Sequence, residues 1–400
     1  MLARLTTAWT AAFLTLCSQA LAAESALPST ATAAELSAED AAALAAGAAA
    51  DTPLAPAPAA APSTNPAMSV IFDGALAAHS DPAPLPGGHD PARNGFNLQQ
   101  LELHLESAVD PYLHMQANIV FTKEGVEVEE AYADTTALPG NLQIRAGQFL
   151  TDFGRANPLH PHAWHFVDQP ILLGKFMGPD SNRGMGAQLG WLAPLPWFVE
   201  LKVSSTEAGG ACCARSWMAD KEWTIRSPAD QLHTATLKQF FPISDDWSLL
   251  VGGSGQEGPA GSSQRSRIVG WDIYLRWRPT DDPERRSVSL QIEHAIRQRQ
   301  TAGTALVDQA GYAALVAQFA LHWEAGWRSE WGTGVANDPL DPQWTGTRTR
   351  HAAQLTYYPS HFARLRWQVS VDRPAWMAEP IYSAVLALET LIGSHGAHNY

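Results

Sequence analysis

Residues 269–278 read VGWDIYLRWR, and this stretch decides the fold class of the chain. Its apolar side chains fall on every second position: Val269, Trp271, Ile273, Leu275 and Trp277. The positions between them carry polar side chains: Asp272, Tyr274, Arg276 and Arg278. Because successive side chains of an extended strand point to opposite faces, the stretch predicts a β-strand with one apolar face and one charged face.

The same alternation recurs elsewhere, for example in LQQLELHLES (98–107) and ARLRWQVSVD (363–372). The alternating runs are about 10–12 residues long, which is the length that a tilted strand needs to cross a bilayer. Short turns alternate with longer links, of which 154–181 is the longest and 256–264 and 300–309 are further examples. The sequence therefore predicts an all-β fold, an antiparallel transmembrane β-barrel of about sixteen strands.

The N-terminal part of the chain has a different composition. Residues 1–22 have a basic start at Arg4, a short apolar core and an Ala-Leu-Ala cleavage site, which together predict a signal peptide. Residues 23–66 are rich in Ala and Pro and have few large apolar side chains, so we expect a disordered periplasmic segment. The barrel is predicted to occupy residues 67–400.

The overall composition narrows the function further. The net charge of -14 argues against nucleic acid as a partner. Cleavage of the signal peptide leaves Cys212 and Cys213, an adjacent pair that is no disulfide framework and indicates two loop thiols or one loop bridge. A β-solenoid is disfavoured because no fixed repeat is visible, whereas a secreted β-sandwich stays open as an alternative fold.

The stretch HPHAWHFVD (160–168) lies in the longest predicted link and places three histidines and an aspartate in nine residues. Imidazole and carboxylate ligands suit zinc, so the candidate metal or pore-constriction residues are His160, His162, His165 and Asp168. In the alternative interpretation, apolar residues such as Trp164 and Phe166 wedge the link against the barrel wall. The histidines then bond to lumen carboxylates such as Glu102 or Glu106.

The polar faces of the strands predict the wall of the lumen. The candidate pore-lining residues are Glu102, His104, Arg145, Asp272, Arg276, Arg278, Arg364 and Arg366. Glu127, Glu129 and Glu130 lie on an alternating strand with a predicted β-bulge, because Glu129 and Glu130 cannot otherwise both avoid lipid. Arginines concentrate in the later strands and acids in the earlier ones, which would orient a dipolar solute or close the lumen by ion pairs.

The block VEVEEAYADTTALPGNLQIRAGQFLTDFGRANPLHPHAWHFVDQPILLGKFMG (126–178) resembles a family of Gram-negative outer-membrane proteins known as porins or zinc-regulated TonB-dependent outer-membrane receptors. The starting stretch NPAMSVIFDG and the tail GSHGAH share the resemblance, and the family is distantly similar to phosphate-selective porins. His165 stands where the family pattern has Asp. A TonB-dependent receptor needs a barrel of 22 strands and a folded plug domain, and the about 335 residues that remain for the mature barrel are too few for both. The resemblance therefore implies a porin.

These observations predict an outer-membrane, porin-like channel for small hydrophilic solutes or ions. Its expected partners are outer-membrane lipid and the barrel-assembly machinery, its oligomeric state is open, and no cofactor is expected except zinc as a candidate ligand. No catalytic residues are predicted, since Gly253-Ser254-Gly255 lacks the strand–turn–helix context of a nucleophile elbow. The alternatives are a barrel whose loops bind zinc or a partner, and a secreted β-sandwich binding protein.

Overall fold

A computed structural model describes residues 66–81, 87–208, 213–217, 225–261, 264–301 and 303–393. The predicted signal peptide, nearly all of segment 23–66 and the GSHGAH tail beyond Gly393 lie outside these residues. Cys213 is described and is disulfide-bonded, whereas Cys212 falls outside the described part of the chain. No described helix is long and apolar enough to cross a membrane.

The described residues form a closed antiparallel barrel of sixteen strands, which confirms the predicted fold class. The strands are β1 (Ala67–His79), β2 (Gly95–Asp110), β3 (Leu113–Phe121), β4 (Val126–Thr135), β5 (Leu142–Leu150), β6 (Arg183–Leu192), β7 (Phe198–Thr206), β8 (Leu232–Pro242), β9 (Trp247–Gly261), β10 (Gln264–Trp277), β11 (Ser287–Thr301), β12 (Thr304–Ala320), β13 (Trp323–Gly332), β14 (Arg348–Ser360), β15 (Ala363–Pro374) and β16 (Ile381–Gly393). Each strand pairs with its neighbours in the chain, and β1 pairs with β16 to close the barrel.

Two predicted links are shorter than expected. Strand β9 runs on to Gly261 and β10 begins at Gln264, so the long link predicted at 256–264 is wrong. The link predicted at 300–309 is also wrong, because β11 and β12 pair up to Thr301 and Thr304. Backbone pairing extends both hairpins through residues whose side chains carry no clear period-two pattern.

The period-two pattern separates the two faces of the barrel. On β10, Val269 and Trp271 are 66% and 45% exposed, whereas Asp272, which follows Trp271, is fully buried. Trp247 and Trp277 pair at the end of the β9–β10 hairpin opposite its turn, and aromatic residues at strand ends are typical of the interface in membrane barrels. The outer face is therefore an apolar band that fits the hydrocarbon core of a bilayer, and the polar face is turned inward.

The link between β5 and β6, residues 151–182, folds into the barrel and is called the inserted segment below. Its two ends are held together, because Thr151 N–H donates to Asn182 O at 2.9 Å and Asn157 bonds both of these residues. It contains a 3₁₀ turn at Pro161–Ala163 and one helix, α1 (Ile171–Phe176), all of whose residues are buried. The barrel interior at this level is occupied by the inserted segment together with residues of the β7–β8 link, because Ala214 and Trp217 belong to the same buried cluster as Phe176.

Candidate functional site

Apolar side chains fix the inserted segment against one part of the barrel wall. Phe166, Leu172 and Phe176 belong to one buried cluster with Tyr312 and Val316 of β12, and Trp164 packs against the cluster. Burying a large apolar side chain contributes about 1.5–3 kcal/mol relative to leaving it in water. The apolar anchors expected from HPHAWHFVD and the residues after it therefore hold the segment inside the barrel.

Side chains of β13–β15 donate hydrogen bonds to the backbone of the inserted segment. The four arginines involved are named the arginine wall: Arg328, Arg350, Arg364 and Arg366. Arg364 Nη2 donates to His162 O at 2.5 Å, and Arg350 Nη2 donates to Gln169 O at 2.6 Å. Because a buried segment outside the sheet has no sheet ladder of its own, its carbonyls need such donors.

Asp168 ties the segment to the arginine wall by charge. Its Oδ1 accepts hydrogen bonds from Arg328 Nη2 at 2.6 Å and from Gln368 Nε2 at 2.8 Å. Its Oδ2 lies 3.1 Å from Arg350 Nη1. Burial acts to raise the pKa of Asp168, but Arg328 and Arg350 outweigh it and lower the pKa to about 2.

The opposite end of HPHAWHFVD meets carboxylates on β2 and β4, which we name the acidic wall: Glu102, Glu129 and Glu130. His160 Nδ1 lies 3.1 Å from Glu129 Oε2, and His160 Nε2 lies 2.7 Å from Glu130 Oε2. His162 Nδ1 lies 3.1 Å from Glu102 Oε2, and the two imidazole rings stack with centroids 5.6 Å apart. A bond from a segment histidine to Glu102 is the contact expected in the wedge interpretation.

The acidic wall depends on a β-bulge in β4. Asn118 of β3 pairs with Glu130 and the next residue, Ile119, pairs with Val128, so Glu129 is the extra residue. As a result the adjacent residues Glu129 and Glu130 are both buried. The bulge is thus the backbone feature that lets two successive carboxylates reach one histidine.

The four candidate metal or pore-constriction residues, His160, His162, His165 and Asp168, do not all meet at one point. His165 Nδ1 lies 3.1 Å from Glu324 Oε1 of β13, and Asp168 is engaged by the arginine wall. Of the four candidate residues, only His160 and His162 contact the acidic wall. The physical reason is that the 3₁₀ turn at Pro161–Ala163 and the chain after it carry the second half of the stretch from β2 and β4 to β13–β15.

Among the described residues, Glu102, Glu129 and His160 each offer a ligand atom, and these atoms lie within 4.8 Å of one another. Burial acts to lower the pKa of His160, but the surrounding carboxylates Glu102, Glu129 and Glu130 outweigh it and raise the pKa well above its usual range. This arrangement can hold either an imidazolium or a metal cation. Glu102 and Glu129 lie on two different strands, so the sequence alone could not identify them as ligands of one site.

His89, in the link between β1 and β2, completes the cluster and was missed by the sequence analysis. Its Nε2 lies 3.2 Å from Glu129 Oε1 and 3.6 Å from Asp180 Oδ1. Burial acts to lower the pKa of His89, but its hydrogen bond to Glu129 outweighs burial, and the pKa is raised to about 9. No local signal marks this histidine, because its partners are distant in sequence.

Several predicted pore-lining residues contact other side chains of the barrel wall. His104 Nδ1 is 2.6 Å from Asn118 Oδ1, and Arg145 pairs with Asp134 at 2.8 Å, so both are parts of the wall. Arg364 and Arg366 share the Glu389 carboxylate at 2.6 Å and 3.1 Å.

Besides Asp272, two further predicted lining residues lie on or just beyond β10. Arg276 is half-buried within the strand, on the same face as Asp272. Arg278 follows the strand, and its Nε donates to Pro283 O at 2.8 Å, so it braces the turn.

Comparison with solved structures identifies the architecture. The outer-membrane channel DcaP of Acinetobacter baumannii aligns with a TM-score of 0.56 at 10% identity, covering 82% of this chain and 96% of that one. The chain has the fold of an outer-membrane β-barrel. OprB of Pseudomonas putida (TM-score 0.54, 10% identity, 82% and 94% coverage) has the same fold. So does the anion-selective porin from Comamonas acidovorans (TM-score 0.53, 9% identity, 82% and 99% coverage).

By sequence, the chain is similar to a curated protein. It is an uncharacterized protein of Aquifex aeolicus (strain VF5), 27% identical over 348 residues, which cover 78% of this chain and 73% of the relative. No family model matches the chain. The likeness to porins and channels is therefore one of fold, and the narrower family name suggested by the sequence resemblance is not confirmed.

Proposed function

We propose that the protein is a porin-like channel that passes small hydrophilic solutes or ions passively through a lumen narrowed by the inserted segment. One observation carries this proposal: the segment lies between the acidic wall and the arginine wall. His160 contacts Glu129 on one side, while Asp168 contacts Arg328 on the other. The proposed role is transport without catalysis.

The charges around the segment support a preference among solutes. Carboxylates of β2 and β4 stand on one side of it and guanidinium groups of β13–β15 on the other. Opposite charges on facing walls create a transverse field, which orients a dipolar solute and slows simple ions of either sign. We therefore expect dipolar hydrophilic solutes to pass better than salts of the same size.

The test is conductance of the purified protein in a planar bilayer. We expect discrete ohmic current steps, and larger steps from a variant whose segment is released from the arginine wall. Heat-modifiable migration on a gel verifies in parallel that the barrel is folded. A folded, heat-modifiable protein that gives no current steps in either form would contradict the proposal.

A further inference from the structure

We propose that Glu102, Glu129 and His160 form a binding site for a transition-metal dication such as Zn²⁺, which links the inserted segment to the barrel wall. The three side chains come from β2, β4 and the segment. His160 Nδ1 lies 3.1 Å from Glu129 Oε2 and 3.9 Å from Glu102 Oε2. A cation held by these three side chains would be bound by three parts of the chain that are separate in sequence.

Each proposed ligand has its own supporting contact. Glu130 Oε2 lies 2.7 Å from His160 Nε2. This contact favours the tautomer with its proton on Nε2, which leaves Nδ1 free to bind the metal. His89 supports Glu129 at 3.2 Å, and His162 supports Glu102 at 3.1 Å. Such outer contacts orient ligands and are typical of metal centres that contain histidine.

An unpartnered carboxylate oxygen is independent support for a cation site. Glu102 is 1% exposed, and its Oε1 has no hydrogen-bond partner among the described residues. Leaving a buried acceptor unsatisfied costs about 1–3 kcal/mol, and more for a charged group. Since Oε2 of the same carboxylate is engaged by His162, Oε1 is the oxygen available for a metal.

The donor set selects the class of metal. One imidazole nitrogen with two carboxylate oxygens suits Zn²⁺ and neighbouring first-row dications, whereas Ca²⁺ and Mg²⁺ prefer oxygen ligands alone. Three protein ligands leave a coordination position for water. The inference does not depend on conduction, because it concerns only how the segment is attached to β2 and β4.

The test is a Zn²⁺ titration of the purified, full-length protein in detergent against a chromophoric chelator. We expect the wild type to bind one equivalent of Zn²⁺. Glu102→Gln and Glu129→Gln should each weaken the Zn²⁺ affinity by at least about 100-fold, and Glu130→Gln should weaken it by about 10- to 100-fold. Glu324→Gln is the matched control, because Glu324 is also a buried carboxylate that contacts a segment histidine. The control should bind Zn²⁺ as the wild type does.

X-ray absorption at the zinc edge of the wild type tests the site without any variant. We expect nitrogen and oxygen scatterers at about 2.0–2.2 Å with a single imidazole. No binding at micromolar Zn²⁺, a spectrum with two or more imidazoles, or equal loss of binding in Glu324→Gln and Glu102→Gln would each overturn the proposal. Conductance measured on the same samples separates failure of this site from failure of the proposed channel.

Discussion

Replacing Asp168 by Asn should loosen the inserted segment while the sixteen-stranded barrel stays intact. Asp168 is 3% exposed and holds Arg328 and Arg350 with its two carboxylate oxygens. Asparagine has nearly the same volume but no charge, so the substitution leaves two buried guanidinium groups without that partner. Removing one member of a buried ion pair costs about 3–5 kcal/mol.

The structure places the expected cost of Asp168→Asn at or below the lower limit of this range. Arg328 and Arg350 both keep Glu330, at 3.1 Å and 2.5 Å. The lowered pKa of Asp168, about 2 against an ordinary value of 3.8, corresponds to about 2 kcal/mol. A loss of about 2–3 kcal/mol raises the population of the open segment by about 30- to 150-fold.

Hydrogen exchange measured by mass spectrometry detects this opening. The N–H groups of Val167 and Ile171 donate to Gln368 and Glu330 of the wall, so both amides are protected when the segment is in place. In Asp168→Asn we expect exchange in peptides that cover these residues to accelerate by about 30- to 150-fold, with strand peptides unchanged.

A matched control uses another buried Asp–Arg pair. Asp134 bonds Arg145 at 2.8 Å, and both residues belong to wall strands, β4 and β5. Asp134→Asn should lower the stability of the wall and leave exchange in the segment at the wild-type rate. Wild-type exchange rates in the segment of Asp168→Asn, or the same acceleration in both variants, would refute the reasoning.

Three further predictions concern pH, the lipid face and the topology. The folded pKa of Asp168, about 2, lies below its ordinary 3.8. The contribution of Asp168 to the stability of the closed segment is therefore complete above pH about 4 and is lost as pH falls towards 2. We therefore expect pepsin to cleave the segment only below pH about 4. Trp271→Arg puts a charge on the lipid face near the middle of β10 and should lower the free energy of unfolding in urea by about 2–4 kcal/mol. Arg276→Glu, on the inner face, should change the reversal potential without that loss. The short β3–β4 turn, which contains Glu124, lies at the same end of the barrel as the long links, and Asp245 lies at the other end. If the long links face outward, an impermeant maleimide should label Glu124→Cys but not Asp245→Cys on intact cells, with the wild-type chain as the background control. The reverse labelling pattern would show that the topology is inverted.

The sequence by itself determined the strands and the faces they present. Period-two alternation is a local property of an extended chain, so VGWDIYLRWR alone is enough to place Trp271 in lipid and Asp272 inside. The β-bulge at Glu129 follows equally from local pattern, because two adjacent charges cannot both avoid lipid on a regular strand. The long β5–β6 link and its apolar residues likewise marked the segment that folds inward.

Only the tertiary structure decided which side chains meet inside the barrel. His160 and His165 are five positions apart in HPHAWHFVD, yet one contacts β4 and the other contacts β13. His89 joins the same cluster from a different link, about forty residues from its partner Glu129. These contacts depend on how the closed barrel sets the height and angle of each strand, and on where the inserted segment lies between the walls. Alternation along a single strand carries no information about that placement, because every inward position has the same pattern whichever side of the lumen it faces.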